Sequence, residues 1–552
     1  MELTVEGQLV TAKVPHSMTP QMKLIPGARY NKGIKAWTMP LNMQTVAALP
    51  EVDAFLPLMR WAERQQTYRT KDNRIKGQEH LYGFQAAGVR FLAHGKGVLM
   101  ADEMGTGKTV QSLTAIELEG AWPALVICPN SVKHNWAREV AMWTAGEAVV
   151  IEGTADQRRK LIAKVATLVS EGIPAVAIIN YESLLKHTKQ APFGNTVLTE
   201  EKKREKELNE IPWTTVVVDE AHRIKSPKDW ARAVWGVSES AQYRFALTGT
   251  PIVNDPDDLW SIMRYVAPGE YPSRSRFRDR YCLVRPGWHG GLENLGLRED
   301  ARPEFNTLTG PRIIRRTKAE VLPQLPEKIV TEELIPLTPA QKKAYGQLVK
   351  VMMAEVKDGI LFATDPLTLI GRLRYLACAI PVVDEEGKVL SLEGNSNKLD
   401  RIKDILDNTG DEPLVVYAQS RKLIEYFERE LDNHVSVHGN VSAAQRQLAI
   451  DTFQAGEARV FLATTGAGAE GITLTAANRL VVAMEDWSNV KNKQAHDRIH
   501  RIGQERGVEI ITLVSEGTIE EAVSQATDRK EAMLQQLVQD EEALMRAAKG
   551  QL

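Results

Sequence analysis

The sequence predicts an α/β fold: two lobes, each on a parallel sheet, with helical insertions between them and a small β-rich module in front. Three observations predict it. Short apolar runs recur in two groups: "GVLMA", "ALVICP", "AVAIIN" and "TTVVVDE", then "EPLVVYAQ", "VSVHG", "RVFLATT", "NRLVVAM" and "VEIITLV". Runs without polar alternation suit strands buried on both faces, as in a parallel sheet covered by helices. Each run is followed by a polar or helix-periodic stretch, the rhythm of alternating strands and helices. At 552 residues, finally, the chain exceeds what one hydrophobic core holds.

Residues 1–76 form the first element, with the strand-like "LTVEGQLVTAKV" and "IPGARYNKGIKAWTMPL" separated by Gly and Pro. Eleven Lys/Arg against seven Asp/Glu over residues 1–80 give this end a net charge of +4. Arg29, Lys32 and Lys35 cluster around a Gly turn, with Tyr30 and Trp37 near enough to stack on an exposed base. The first lobe spans 77–268 and opens with "GVLMA" as a strand and "TVQSLTAIEL" as a helix. Within it, "LTEEKKREKELNE" (198–210) reads as a solvated surface insertion. Residues 269–395 read as largely helical, with Pro breaks at Pro323, Pro326 and Pro336. The second lobe, 396–552, ends in a C-terminal helix; from 516 onward eight acidic and four basic residues give −4.

The formal net charge of −2 supplies no global positive field, so any nucleic acid must be held by local basic surface. Cys128, Cys282 and Cys378 lie too far apart for a metal knuckle or a disulfide framework, which points to a reducing compartment. No signal segment opens the sequence, and no apolar run approaches the ~20 residues that span a bilayer. The expectation is a soluble, cytoplasmic protein with no membrane partner.

"ADEMGTGKTVQSL" (101–113) meets the physical demand of a triphosphate site, inward-pointing backbone N–H groups at a helix N-terminus. Gly105 and Gly107 permit the close approach, with Thr106 between them in the cofactor-binding loop, Lys108 can reach the β/γ-phosphates, and the Thr109 hydroxyl can ligate Mg²⁺. The first position of such a loop is usually Gly, and here it is Asp102. Further on, "TTVVVDEAHRIK" delivers Asp219 to a metal and Glu220 to the attacking water. Either stretch alone has a bland reading, an incidental match or a solvated strand end; the ordered pair makes ATP and Mg²⁺ the expected cofactors. Written as a helix, "QAHDRIHRIGQ" (494–504) sets Arg498 and Arg501 on one face, a solvated pair or a pair of arginine fingers.

With "LYGFQAAGVRFL", "ALVICPNSVKHNW", "IINYESL", "FALTGTPIVN", "IIRRTKAEVLPQLP", "LVVYAQSRK", "VHGN" and "FLATTGAGAEGITLTAANRLVVAMEDWS", these motifs resemble those of superfamily-two helicases, specifically the Swi/Snf-type double-stranded DNA translocases. The resemblance covers roughly 78–530, implies two RecA-like lobes, and makes Asp102 a family form of the phosphate loop. It assigns Gln85 to the adenine edge, Arg498 and Arg501 to finger roles, and Thr248, Gly249 and Thr250 to sensing the γ-phosphate. Gly468, Glu470 and Gly471 fall in the second-lobe motif that closes on ATP and DNA. Thr473 and Ser488 depart from the family pattern at positions that bear on DNA coupling.

A motor of this kind grips phosphates, not bases. The resemblance places DNA contacts at Asn130, Ser131, Asn180, His438, Gly439, Thr464 and Thr465, each also a residue type or place found at helix caps and turns. "YPSRSRFRDRYCLVRPGW" (271–288) interleaves five Arg with four aromatics, suiting nucleic-acid stacking or a packed helical lobe with Arg reaching water. The N-terminal stretch "IPGARYNKGIKAWTMPL" resembles the module preceding the motor in annealing helicases, which engages branched DNA; a packing strand pair is the other reading. The expected protein is a monomeric, nucleoid-associated, DNA-dependent ATPase partnered by double-stranded or branched DNA and by other replication or repair proteins. A strand-separating helicase and an inactive ATP-binding DNA clamp are the alternatives.

Overall fold

In the computed structural model, the described residues are 2–6, 9–24, 28–40, 78, 80–194, 197–249, 256–271, 273–286, 292–356, 359–468 and 472–525. The chain divides into two compact units, Met1–Pro323 and Gln324–Leu552.

The alternating N-terminal stretch folds as an antiparallel sheet of β1 (Glu2–Glu6), β2 (Leu9–Lys13), β3 (Arg29–Asn31) and β4 (Ala36–Pro40), in the order β1-β2-β4-β3. Tyr30 pairs with Trp37 across β3 and β4, their rings edge to face at 5.6 Å. Trp37 is only 7% exposed, so it packs the sheet and does not offer a face for stacking; Tyr30, 51% exposed, does. The rest of the proposed module, 41–76, lies outside the described residues.

The first unit also holds a seven-stranded sheet. Its strands are β5 (Gly97–Met100), β6 (Ala124–Cys128), β7 (Glu147–Val150), β8 (Ala175–Asn180), β9 (Thr215–Asp219) and β10 (Tyr243–Leu247), with β13 (Ile313–Ile314) at one edge. The order is β13-β5-β10-β9-β6-β8-β7, every pairing parallel. Alternate residues of one strand enter different cores: Leu125 and Ile127 on one face of β6, Ala124, Val126 and Cys128 on the other. Burial on both faces is why these runs carry no polar alternation.

Between the main sheets, the expectation of helical insertions over 269–395 is only partly right. Helices run Arg274–Tyr281, Arg302–Thr309, Pro339–Val351 and Pro366–Cys378. Three antiparallel hairpins interrupt them: β11 (Cys282–Pro286) with β12 (Leu292–Leu297), β15 (Met353–Val356) with β16 (Gly359–Phe362), and β17 (Ile380–Val383) with β18 (Val389–Glu393). Strands of four to six residues are too short to impose a period of two against a helical background. The stretch is also no separate body, since the two units divide between Pro323 and Gln324. In the 271–288 segment, Tyr271, Phe277 and Tyr281 are core residues, while Arg274 pairs with Asp257 and Arg280 with Glu304. That favours the packed reading over the stacking one. The charged 198–210 insertion is similarly anchored: Leu208 is wholly buried and its carbonyl accepts from Trp213 Nε1 at 2.7 Å.

The second unit's parallel sheet has the order β14-β23-β22-β19-β21-β20. Its strands are β14 (Lys328–Ile335), β19 (Leu414–Ala418), β20 (His434–Val437), β21 (Val460–Thr464), β22 (Arg479–Met484) and β23 (Val508–Ser515). Again two cores flank it, with Val416 and Leu462 on one side and Val415 and Phe461 on the other. A helix, Ile519–Gln525, follows β23; the rest of the expected C-terminal helix lies outside the described residues. Among the described residues, no helix is long and apolar enough to cross a membrane.

Candidate nucleotide site

Three segments meet at the C-terminal edge of the first unit's sheet, because parallel strands end on the same side. The phosphate loop leaves β5, residues 219–220 leave β9, and β10 lies between those two strands. In the loop, Gly105 and Gly107 both have φ +78°, left-handed backbone that glycine adopts without strain. A Cβ on Gly107 would come within 2.4 Å of Gln85 Nε2, so the loop needs Gly there for space as well. The helix Lys108–Glu119 begins directly after it, with its N-terminus at the loop.

Several side chains hold the loop. Thr106, buried, donates from Oγ1 to the Glu103 carbonyl at 2.8 Å. Gln85 Nε2 donates to the Thr106 carbonyl at 3.1 Å, and its Oε1 accepts from Tyr82 N at 3.0 Å. Gln85 thus reaches the loop from the helix Gly83–Gly95, with its acceptor and one N–H engaged by backbone. Lys108 Nζ donates to the carbonyls of Asp102 at 2.8 Å and Glu103 at 3.1 Å, which keeps the ammonium over the loop. Asp102 belongs to the site through its carbonyl; its wholly buried carboxylate is turned to Arg316.

Asp219 ends β9 under three constraints. Trp136 Nε1 donates to its Oδ2 at 2.9 Å, the Glu220 N–H donates to its Oδ1 at 2.9 Å, and the Tyr181 hydroxyl donates to its carbonyl. Burial, and then the Glu220 charge, push its carboxyl up to about 6; the Trp136 bond and the Lys108 ammonium act in the opposite sense. Glu220 sits in left-handed backbone at φ 51°, and its Oε2 lies 3.3 Å from His222 Nδ1. From β10, Thr248 N donates to the Met100 carbonyl at 3.0 Å, and Thr248 Oγ1 lies 3.5 Å from His222 Nδ1. Gly249 packs on the loop: a Cβ there would meet Met104 Cγ at 2.2 Å. The fold therefore brings Gln85, Asp102, Gly105, Thr106, Gly107, Lys108, Thr109, Asp219, Glu220 and Thr248 into one region; Thr250 lies outside the described residues.

These residues fit a magnesium nucleotide. The glycine loop leaves a cradle that a side chain would fill, a cation overhangs it, and Thr109 and Asp219 offer the hard oxygen donors Mg²⁺ takes alongside phosphate oxygens and water.

The residues expected to meet DNA split into groups. Asn130, in the turn after β6, and Asn180, at the end of the neighbouring parallel β8, line one cavity of about 370 Å³ with Lys133, Glu152, Arg158 and Glu182. Sequence reading missed Lys133 and Arg158; the signal was basic residues directly after a strand end and within "DQRRK". Ser131 is half-buried in the turn Asn130–Val132, outside that lining. In the second unit, His438 and Gly439 follow β20, Thr464 ends the adjacent parallel β21 and Thr465 opens the short helix after it, so all four lie at one sheet edge. Thr465, 1% exposed, presents almost no surface of its own to a partner. Gly468 approaches Tyr417 so closely that a Cβ would lie 2.6 Å from its ring; Glu470 and Gly471 lie outside the described residues.

Arg498 and Arg501 are not on a helix face. The helix Asn489–His496 ends before them, and both lie in the following turns. Gln504 Nε2 donates to the carbonyls of Ala477 at 2.8 Å and Ile499 at 3.1 Å, tying these turns down where the chain leads into β23. The Arg498 carbonyl accepts from Leu474 N at 3.0 Å, and Arg501 Nη1 donates to the Ile472 carbonyl at 3.3 Å, so both flank the same segment.

Two parallel-sheet units, one bearing a glycine phosphate loop beside a strand-borne Asp-Glu pair, give the chain a helicase-like architecture. The chain belongs to the SNF2-related family: the SNF2-related domain matches residues 35–380 and the helicase conserved C-terminal domain matches 397–503. Relatives include the CHD3-type chromatin-remodeling factor PICKLE of Arabidopsis thaliana, 28% identical over 84% of this chain and 34% of that protein. The putative ATP-dependent helicase/translocase YwqA of Bacillus subtilis is 28% identical over 83% of this chain and 49% of its own length. The ISWI chromatin-remodeling complex ATPase ISW1 of Saccharomyces cerevisiae is 26% identical over 86% and 42% respectively. This chain spans a third to a half of these three relatives. The Sulfolobus solfataricus SWI2/SNF2 ATPase core in complex with dsDNA is 26% identical over 87% of this chain and 99% of that one, with a TM-score of 0.38.

Proposed function

We propose that this chain is an ATP- and Mg²⁺-dependent motor that moves along double-stranded DNA, with forked or branched DNA as its preferred substrate. The observation that carries this reading is the convergence of Lys108, Asp219 and Glu220 at one sheet edge. Lys108 binds the β/γ-phosphates by exchanging its bonds to the Asp102 and Glu103 carbonyls for phosphate oxygens. Thr109 and Asp219 hold the metal, which supplies charge neutralisation for phosphoryl transfer. Glu220 takes the proton of the attacking water, and His222, 3.3 Å away, holds that carboxylate in place. Gln85 orients the base, and Arg498 and Arg501 supply the remaining positive charge that hydrolysis requires.

DNA contact is proposed at Asn130, Ser131, Asn180, His438, Gly439, Thr464 and Thr465. Two relatives named as a translocase and as a remodelling ATPase support the motor reading. Residues 1–76, with exposed Tyr30 among basic residues, are proposed to read branched DNA; partners in replication or repair, the monomeric state and association with the nucleoid are proposed with them. The test is ATPase rate with duplex, single-stranded, forked or no DNA, together with displacement of a triplex-forming strand. Duplex stimulation with triplex displacement is expected; efficient unwinding of a tailed duplex would instead mark a strand-separating helicase, and no stimulation a clamp.

A further inference from the structure

A carboxylate at the first position of a phosphate loop is an electrostatic problem, because a buried anion beside the site repels the polyanion meant to enter it. Asp102 is wholly buried. Arg316 answers it from 214 residues away: its Nε lies 3.1 Å from both carboxylate oxygens, and its Nη2 donates to Oδ2. The same guanidinium donates from Nη1 to the Phe84 carbonyl and from Nη2 to Gln111 Oε1 at 3.0 Å, with the Phe84 ring 5.3 Å from its centre. Gln111 in turn donates to the carbonyls of Thr106 and Gly107, both at 3.2 Å. Gly88 leaves the room for this: a Cβ there would lie 1.9 Å from Gln111 Oε1 and 2.9 Å from Arg316 Nη2.

Backbone bonds repeat the link on either side. Ala101 N donates to the Ile314 carbonyl at 2.7 Å, Glu103 N to the Arg316 carbonyl at 2.9 Å, and Lys318 N to Glu103 Oε2 at 2.7 Å. The guanidinium offsets the Asp102 charge from within the same buried cluster. It also leaves the Lys108 ammonium bonded to carbonyls and not captured by the Asp102 carboxylate.

We propose that Arg316 is a positioning residue for nucleotide binding: it cancels the buried Asp102 carboxylate, leaving the charge of Lys108 for phosphate. Asp102 and Arg316 are then a matched pair, needed together and dispensable together. This rests on the ATP-site reading above. The test uses the full chain and its variants Arg316→Met, Asp102→Asn and the double variant, measuring MgATP binding by calorimetry and thermal melting without nucleotide. Arg316→Met should weaken MgATP binding by about tenfold or more, by leaving a buried charge uncompensated, and the double variant should return to within about threefold of wild type. In steady state, Arg316→Met should raise KM for ATP far more than it lowers kcat. Wild type that binds no MgATP would sink the ATP-site reading itself. Wild type that binds, with a double variant as weak as Arg316→Met, would overturn the pairing and leave Arg316 a structural tether. Should Arg316→Met fail to fold, the double variant decides: a cooperative melt with near-wild-type MgATP binding supports the pair, and its absence overturns it.

Discussion

The Trp136 indole N–H holds Asp219 Oδ2 at 2.9 Å, so the carboxylate proposed for the metal is aimed by a residue 83 positions away. Trp136 is itself buried against the first unit's core. Trp136→Phe removes a hydrogen bond to a charged group, a loss of about 1.5–3 kcal/mol. The concentration of Mg²⁺ at half-maximal ATPase should rise, with ATP affinity in the absence of metal little changed. Equal Mg²⁺ requirements for variant and wild type would contradict the aiming role.

Acid should act through the same group. The Asp219 carboxyl is raised to about 6 by burial and by Glu220, and only its ionised form holds a cation. As pH falls through about 6, protons compete with Mg²⁺, so the metal requirement should climb. Trp136→Phe removes a bond that favours the ionised form, which should move this midpoint to higher pH. Titrating Mg²⁺ dependence from pH 5 to 8 checks both shifts.

Glu220→Gln should retain MgATP binding yet lose turnover, since an amide cannot accept the water's proton. Lys108→Ala should weaken binding itself. Full turnover by Glu220→Gln with DNA would remove Glu220 from the role of base.

Arg498→Ala and Arg501→Ala should each depress DNA-stimulated hydrolysis severely, in the roughly 10³-fold range or beyond seen when finger arginines are lost. Nucleotide affinity should fall less. Arg501 also donates to the Ile472 carbonyl, so melting temperature is measured alongside. A rate change of only a few tenths of a kcal/mol in barrier would return both to ordinary surface charges.

In the N-terminal sheet, Tyr30→Ala and Trp37→Ala should diverge. Trp37 is buried, so its truncation should destabilise the sheet by about 3–5 kcal/mol. Tyr30 is exposed, and its loss should leave melting unchanged while reducing preference for forked over plain duplex DNA. Deleting 1–76 should abolish that preference and spare basal ATPase. Unchanged fork preference after deletion would make the segment a packing element.

What the sequence by itself determined is whatever contiguous residues demand of their own backbone. Gly105 and Gly107 must be glycine for φ +78°, Lys108 and Thr109 follow them onto a helix start, and two-faced burial writes itself as apolar runs such as "ALVICP". The β10 insertion between β5 and β9, which sets Thr248 between the phosphate loop and Asp219, was not legible, since strand order depends on packing between distant segments. Short hairpins hid in helical surroundings, Trp37 turned inward because its strand face is covered, and the helix before Arg498 stopped where Gln504 ties the following turns. Tertiary structure alone decided that Asp102 meets Arg316 and Asp219 meets Trp136. Those contacts are long-range choices of buried polar groups that need partners, and a partner 83 or 214 residues away leaves no local mark in the chain.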